Sequence, residues 1–313
     1  MFEIRRYSEN DKDEWNQFVA TSKNGTFLFD RGYMDYHSDR FTDHSLMFYH
    51  AGKLIALLPA NEDDGVLYSH QGLTYGGLIT GVSVTAAKAL MIFREMNDYL
   101  REQNFKKVIY KVIPWIYHRL PAEEDVYAIY KECNARLLTR DISSTIFLKN
   151  QLRWTNGRRC GINKARNNGV TVSMSEDYSS FWTILENNLL SKYGVHPVHS
   201  LQEMTLLKSR FPHNIQLYLA LKDGIAIAGT VLYLTPQVIH TQYISANPLG
   251  KHLCAIDAIF NVIFHDDRFT GYPYLDFGKS TEDNGHILNE SLIFQKEGFG
   301  GRGVCYDWYE WTL

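Results

Sequence analysis

The feature that most limits how this chain can fold is an internal repeat. A strand, a glycine turn, two further strands, a glycine-containing loop, a helix and a strand follow one another twice within 313 residues. In the first copy the hairpin over residues 46–59 turns at Ala51-Gly52; in the second, the hairpin over 215–234 turns at Lys222-Asp223-Gly224. A period of about half the chain is too long for a solenoid and fits a duplicated domain. Mostly antiparallel strands crossed by a helix after the fourth predict an α+β fold, with two mixed, mostly antiparallel sheets flanked by helices. The chain is long enough for two cores, expected at residues 1–150 and 151–313, the final strand being free to pack back on the first half.

Periodicity supplies the elements. Residues 9–20 read as a helix with Trp15, Phe18 and Val19 on one face, and 85–103 as another with Ala89, Ile92, Phe93, Met96 and Leu100 at three- and four-residue spacing. In the second copy, 181–191 and 201–210 are amphipathic, whereas 254–264 is apolar nearly all round and so is expected to be buried. Strands are expected at 108–113, 238–245, 275–277 and 304–311. A short helix starts on Asn289, whose side chain can accept a backbone N–H, and stops at Gly298, where a left-handed residue is expected.

A net charge of -3 and a pI near 6.5 argue against a general polyanion binder, so DNA is not an expected partner. Cys133, Cys160, Cys254 and Cys305 show neither metal-ligand nor disulfide spacing and read as reduced thiols; no metal is expected. The N-terminus lacks the basic-then-apolar order of a signal peptide, and no apolar run approaches the ~20 residues of a membrane span. These features together place the expected location in the cytoplasm.

The stretch Asp276-Phe277-Gly278-Lys279-Ser280, the loop holding Glu282 and Gly285, the pair Leu288-Asn289 and the run Gln295-Lys296-Glu297-Gly298-Phe299-Gly300 occur in that order. This series resembles the signature of Fem-type (FemAB-like) members of the GNAT N-acyltransferase superfamily. The resemblance implies two GNAT-like halves and the joining of an acyl or aminoacyl group to an amine of a cell-envelope or polysaccharide precursor. It places the acyl donor where two neighbouring strands splay and a helix begins, because a helix start offers unpaired N–H donors and partial positive charge. Here that place is Ser245, Ala246, Asn247, Gly250 and Lys251. Acyl-CoA (acetyl-CoA) is the co-substrate the resemblance implies. The usual acetyltransferase loop, Arg or Gln, two residues, Gly, one residue, Gly or Ala, is absent, which keeps aminoacyl-tRNA as a second donor. No heptad arm of the kind some Fem-type enzymes carry is present.

Acyl transfer to an amine needs a proton acceptor and a donor that stabilises the oxyanion. By the resemblance Lys296 polarises the carbonyl, although a Lys in a last helical turn is also favoured simply by the helix dipole. Asp276, ending a buried strand, is the candidate base or orienting carboxylate, or else a local cap. His240 and Tyr243 share one strand and, under strict alternation, point to opposite faces. From Ile142 to Ser175 there is no acidic residue but many basic ones. Arg158, Arg159 and Arg166 suit the phosphates of a nucleotide- or lipid-linked acceptor, or form a solvated basic helix. His199, Tyr243 and Ser280 complete the acceptor set. The segment 69–77 resembles a family segment too, its glycines marking bulges or strand ends. The rival function is a catalytically degenerate module that binds an anionic glycan precursor or a partner protein.

Overall fold

A computed structural model describes residues 2–313 of the chain. Its elements in the first part are β1 (Glu3–Arg6), α1 (Lys12–Thr21), α2 (Arg31–Met34), β2 (Thr42–Asp43), β3 (Leu46–His50), β4 (Lys53–Leu58), β5 (Asn61–Asp63), β6 (Val66–Tyr68), β7 (Ile79–Thr80), α3 (Ala86–Glu102), β8 (Lys107–Lys111), α4 (Glu124–Glu132) and β9 (Arg136–Phe147). There follow α5 (Asn156–Asn167), β10 (Val170–Ser175), α6 (Tyr178–Tyr193), α7 (Leu201–Arg210), β11 (Ile215–Lys222), β12 (Ile225–Leu234), β13 (Val238–Ala246), α8 (Pro248–His252), α9 (Ala255–Phe264) and β14 (Tyr274–Lys279). The chain ends with β15 (Thr281–Glu282), β16 (Ile287–Leu288), α10 (Glu290–Glu297) and β17 (Arg302–Thr312). Two compact units result. One runs to Ile142 and adds Thr281–Ile287 and Val304–Leu313; the other holds Ser143–Ser280 and Leu288–Gly303. The division therefore falls between Ile142 and Ser143, inside β9, instead of near residue 150, and the last strand belongs to the first unit.

In the first unit, β1, β3, β4 and β7 form one sheet, and β17, β8, β6, β5 and β2 lie in that order in another. The face of α3 read from its spacing is the buried one: Ala89, Ile92, Phe93, Met96 and Leu100 are fully enclosed, and Thr85 caps the helix by accepting from the Lys88 N–H. β17 runs antiparallel to β8 from Trp308 opposite Lys111 to Thr312 opposite Lys107. That register seats Trp311 in the core beside Phe93 and Tyr110. Burying each such side chain stabilises the unit by roughly 1.5–3 kcal/mol.

The second unit carries β10-β11-β12-β13-β14-β9 in that order. Ile239, Ile259, Phe260, Ile263, Leu275 and Phe277 form part of its core, so α9 covers one face of the sheet. The hairpin turns of both copies are two-residue turns with positive φ at each position: Ala51 and Gly52 at +50° and +74°, Asp223 and Gly224 at +52° and +80°. Their twist suits antiparallel strands.

Each unit also contains one parallel pair that lasts only three residues. In the first, β6 pairs β8 from Val66–Lys107 to Tyr68–Ile109. Beyond that point the chain fills its own fork. Lys111 Nζ donates to the carbonyls of His70, Gln71 and Leu73, and Gly77 passes so close that a Cβ would lie 2.8 Å from the Lys111 carbonyl. In the second, β13 pairs β14 at Val238–Tyr274, Ile239–Leu275 and His240–Asp276. The two strands then part, although β13 continues to Ala246 and β14 to Lys279.

Candidate active site

Asp276 sits at the last paired position before the strands separate and is fully buried. Its Oδ1 accepts from the hydroxyls of Ser143 and Thr145, the latter at 2.8 Å, and its Oδ2 lies 2.8 Å from His240 Nδ1. A carboxylate only accepts, so Nδ1 carries the proton and Nε2 is the basic nitrogen of the neutral ring. β9 supplies both hydroxyls because it runs antiparallel beside β14, with Thr145 opposite Asp276.

The expected opposition of His240 and Tyr243 does not hold. β13 bulges against β12: Val231 pairs Tyr243 and Leu232 pairs Thr241, so Gln242 is the extra residue. One inserted residue reverses the alternation beyond it. His240 and Tyr243 consequently share the face away from α9, where Tyr243 meets Trp182 and His199. Burial pushes the Tyr243 phenol up to about 12. Its oxygen lies 2.6 Å from His199 Nδ1 and accepts the His199 backbone N–H at 3.2 Å. His199, expected at the acceptor, is thus held inside, 4% exposed.

Lys296 is brought in by α10. Asn289 caps that helix by accepting from the Leu292 N–H at 3.0 Å, as its position implied. Gly298 keeps a helical φ of −59°, and the left-handed residue is Gly300, at +92°. The ammonium of Lys296 donates to the carbonyls of Gly278 and Lys279 at 2.8 and 2.7 Å and to Ser280 Oγ at 2.9 Å. Burial lowers its pKa to about 8, against the opposing pull of the Asp276 charge. Ser280, expected at the acceptor, is 1% exposed and serves Lys296.

The donor residues expected from the sequence gather along the free end of β13. Ser245, Ala246, Gly250 and Lys251 line a cleft of about 460 Å³ together with residues of α6, α9 and α10. Arg158, Lys192 and Lys251 supply cations there, against one acid, Asp257. Asn247 caps α8 by accepting from Gly250 N at 2.8 Å, and lines a second groove of about 600 Å³ beside α6. Lys251 bonds Asn188 at 2.6 Å between the two hollows, which both residues line. The close approach at Gly250 is to the protein itself, since a Cβ there would lie 2.2 Å from the Ile227 carbonyl.

The three arginines do not converge. Arg158 binds Asp257 at 2.6 Å and the Gln295 carbonyl at 3.0 Å, stacks over Phe299 and reaches the donor cleft. Arg159 turns to a separate hollow beside Trp154 and Phe264, and Arg166 is exposed and bonded to Asn163. His240 is the site residue that sequence reasoning left out of its candidate set. No sequence signal marks it, because only the parallel register of β13 and β14 brings it to Asp276, 36 residues away. Among the described residues there is no cluster of His, Cys, Asp and Glu fit to hold a metal, no helix is long and apolar enough to cross a membrane, and all four cysteines are unpaired.

No protein-family model matches the sequence, and no curated protein is significantly similar to it. Solved structures do match over nearly the whole chain. That of FemX superposes with a TM-score of 0.68 at 10% identity, covering 99% of this chain and 97% of its own. The C-terminal domain of an Agrobacterium fabrum protein assigned as a lysylphosphatidylglycerol synthetase gives 0.60 at 11%, covering 97% and 92%. A tandem GNAT protein from the clavulanic acid biosynthesis pathway gives 0.53 at 10%, covering 100% and 98%. At such identities the likeness is one of architecture, and what it shows, with the duplicated hairpins and parallel pairs, is that this chain has the tandem GNAT fold.

Proposed function

We propose that the protein is an acyl- or aminoacyltransferase whose second unit holds an activated carbonyl along β13 and passes the acyl group to an amine. The observation that carries this reading is the cleft along the free end of β13. In the first unit the fork is filled by Lys111 and the 69–78 segment, whereas in the second the end of β13 beyond the fork lines a cleft with three cations. A phosphate-bearing donor, acyl-CoA or the end of an aminoacyl-tRNA, suits those cations. Lys296 would release one of its carbonyl partners and donate to the oxyanion as the amine attacks the thioester or ester. The amine belongs to a cell-envelope precursor carrying phosphate, for which Arg159 and Arg166, outside the donor cleft, are the arginines left. The name of one matching structure, a lysylphosphatidylglycerol synthetase domain, contains a phosphate-bearing membrane lipid and supports an acceptor that carries phosphate.

A ligand that binds the folded state raises the melting temperature. Acetyl-CoA or aminoacyl-tRNA is expected to do so, and Lys296→Ala is expected to lower turnover by about 10²–10³-fold, the range for loss of one oxyanion donor. Unchanged turnover would remove Lys296 from the chemistry. One observation favours a second reading, a binding module for an anionic glycan precursor: all three Lys296 donors are already engaged within the protein. Stabilisation by nucleotide-sugars, with none by either acyl donor, would decide for it.

A further inference from the structure

Asp276 is badly placed to take a proton from a substrate. It has no exposed surface, and its two oxygens already accept from Ser143, Thr145 and His240. An amine would have to break this shell to reach it. The imidazole of His240 lies on the outer side of that carboxylate, its side chain 11% exposed against 0% for Asp276.

Three further features bear on the ring. Its position is the last paired one before the strands part, so it stands at the apex of the fork. The residue over its Cε1–Nε2 edge is Gly278, at φ +72°, where a Cβ would lie 3.3 Å from Cε1 and 3.9 Å from Nε2. A side chain there would crowd that edge. Finally, the carbonyl of the same Gly278 accepts from Lys296 Nζ at 2.8 Å. One glycine therefore separates an imidazole whose basic nitrogen is set by a carboxylate from a buried ammonium. Among the groups around the ring are Asp276 from β14, Lys296 from α10 by way of Gly278, and Tyr233, opposite it on β12.

We infer that His240 is the proton acceptor of this site, with Asp276 as the positioning residue that fixes its tautomer and Lys296 as the oxyanion donor. This rests on the transferase reading and adds to it the group that makes the nucleophile. The substrate enters as an ammonium and gives one proton to Nε2. The neutral nitrogen then forms the C–N bond, the C–S or C–O bond to the donor breaks, and the nitrogen's second surplus proton goes to the leaving thiolate or alkoxide. His240 returns its own proton to solvent. The acceptor class implied is a primary amine that is charged in solution, since an uncharged one would need no such acceptor.

The test uses the full chain, with acetyl-CoA and aminoacyl-tRNA as donors and a panel of primary amines. His240→Asn, which keeps a donor near the Nδ1 position, is expected to bind the donor as the wild type does. Its kcat is expected to fall by about 10²–10⁴-fold, to lose the acid limb of its pH profile, and to be partly restored by added imidazole. Independently, nitrogen NMR of the labelled wild type is expected to show the His240 proton on Nδ1, held by Asp276, with Nε2 as the acceptor nitrogen. Transfer by His240→Asn at the wild-type rate, or a neutral ring with its proton on Nε2 instead of Nδ1, would overturn the inference and leave the transferase reading standing. Failure of both donors to bind the wild type would overturn both.

Discussion

Lys296 is where burial and charge oppose each other most directly. Desolvation brings its pKa from 10.5 to about 8, while the nearby Asp276 charge works the other way. Because the folded value lies below the unfolded one, the unfolded chain binds more protons between those two values, and stability rises with pH across that window. Below about pH 8 the cost of the buried charge is present in full. The melting temperature of the wild type relative to Lys296→Met is therefore expected to climb as pH goes from about 8 to about 10.5. A flat difference would mean that the ammonium is better solvated than its 7% exposure indicates. The same substitution leaves two carbonyls and the Ser280 hydroxyl without their donor, which by itself costs about 1–3 kcal/mol.

At the scale of elements, α8 is set against β12 by the absence of a side chain. Gly250→Ala would place its Cβ 2.2 Å from the Ile227 carbonyl, a backbone atom, so the helix must lift. Lower thermal stability and weaker acyl-donor binding are expected together. Gly157→Ala, at a helical position with nothing within 4 Å, is expected to gain about 0.5–1 kcal/mol and serves as the control. A chemical-denaturation series on both variants checks the pair. The elements that the sequence made readable are those with local rules: the Asp-Gly hairpin turn, the apolar spacing of α3 and the Asn cap of α10. β9 was not readable, because Thr139, Asp141, Ser143, Ser144 and Thr145 are all buried and no apolar alternation marks the strand. Those polar residues turn inward to meet partners far along the chain, Asp276 for Ser143 and Thr145, and Thr281 for Asp141. β10 lies at a sheet edge with no fully buried residue, although Val170, Val172 and Met174 alternate with polar residues and the two valines pack on the core. The bulge at Gln242 is a property of the β12–β13 pairing, so the common facing of His240 and Tyr243 was beyond any reading of β13 alone.

At the scale of the molecule, neither unit is a continuous piece of chain. The first needs Val304–Leu313, which supplies the strand beside β8 and the core residue Trp311. A fragment ending at Ile142 is expected to show no cooperative thermal transition by circular dichroism, with the edge of β8 and the seat of Trp311 exposed. A sharp melt of that fragment would mean that β17 is dispensable. The chain passes between units inside β9, after Ser280, after Ile287 and after Gly303. On the ribosome the amino-terminal unit must therefore wait, open along β8, until nearly everything after it has been made. Folding of the first unit strictly from its amino end is closed to this chain, since its last strand is made after the second unit.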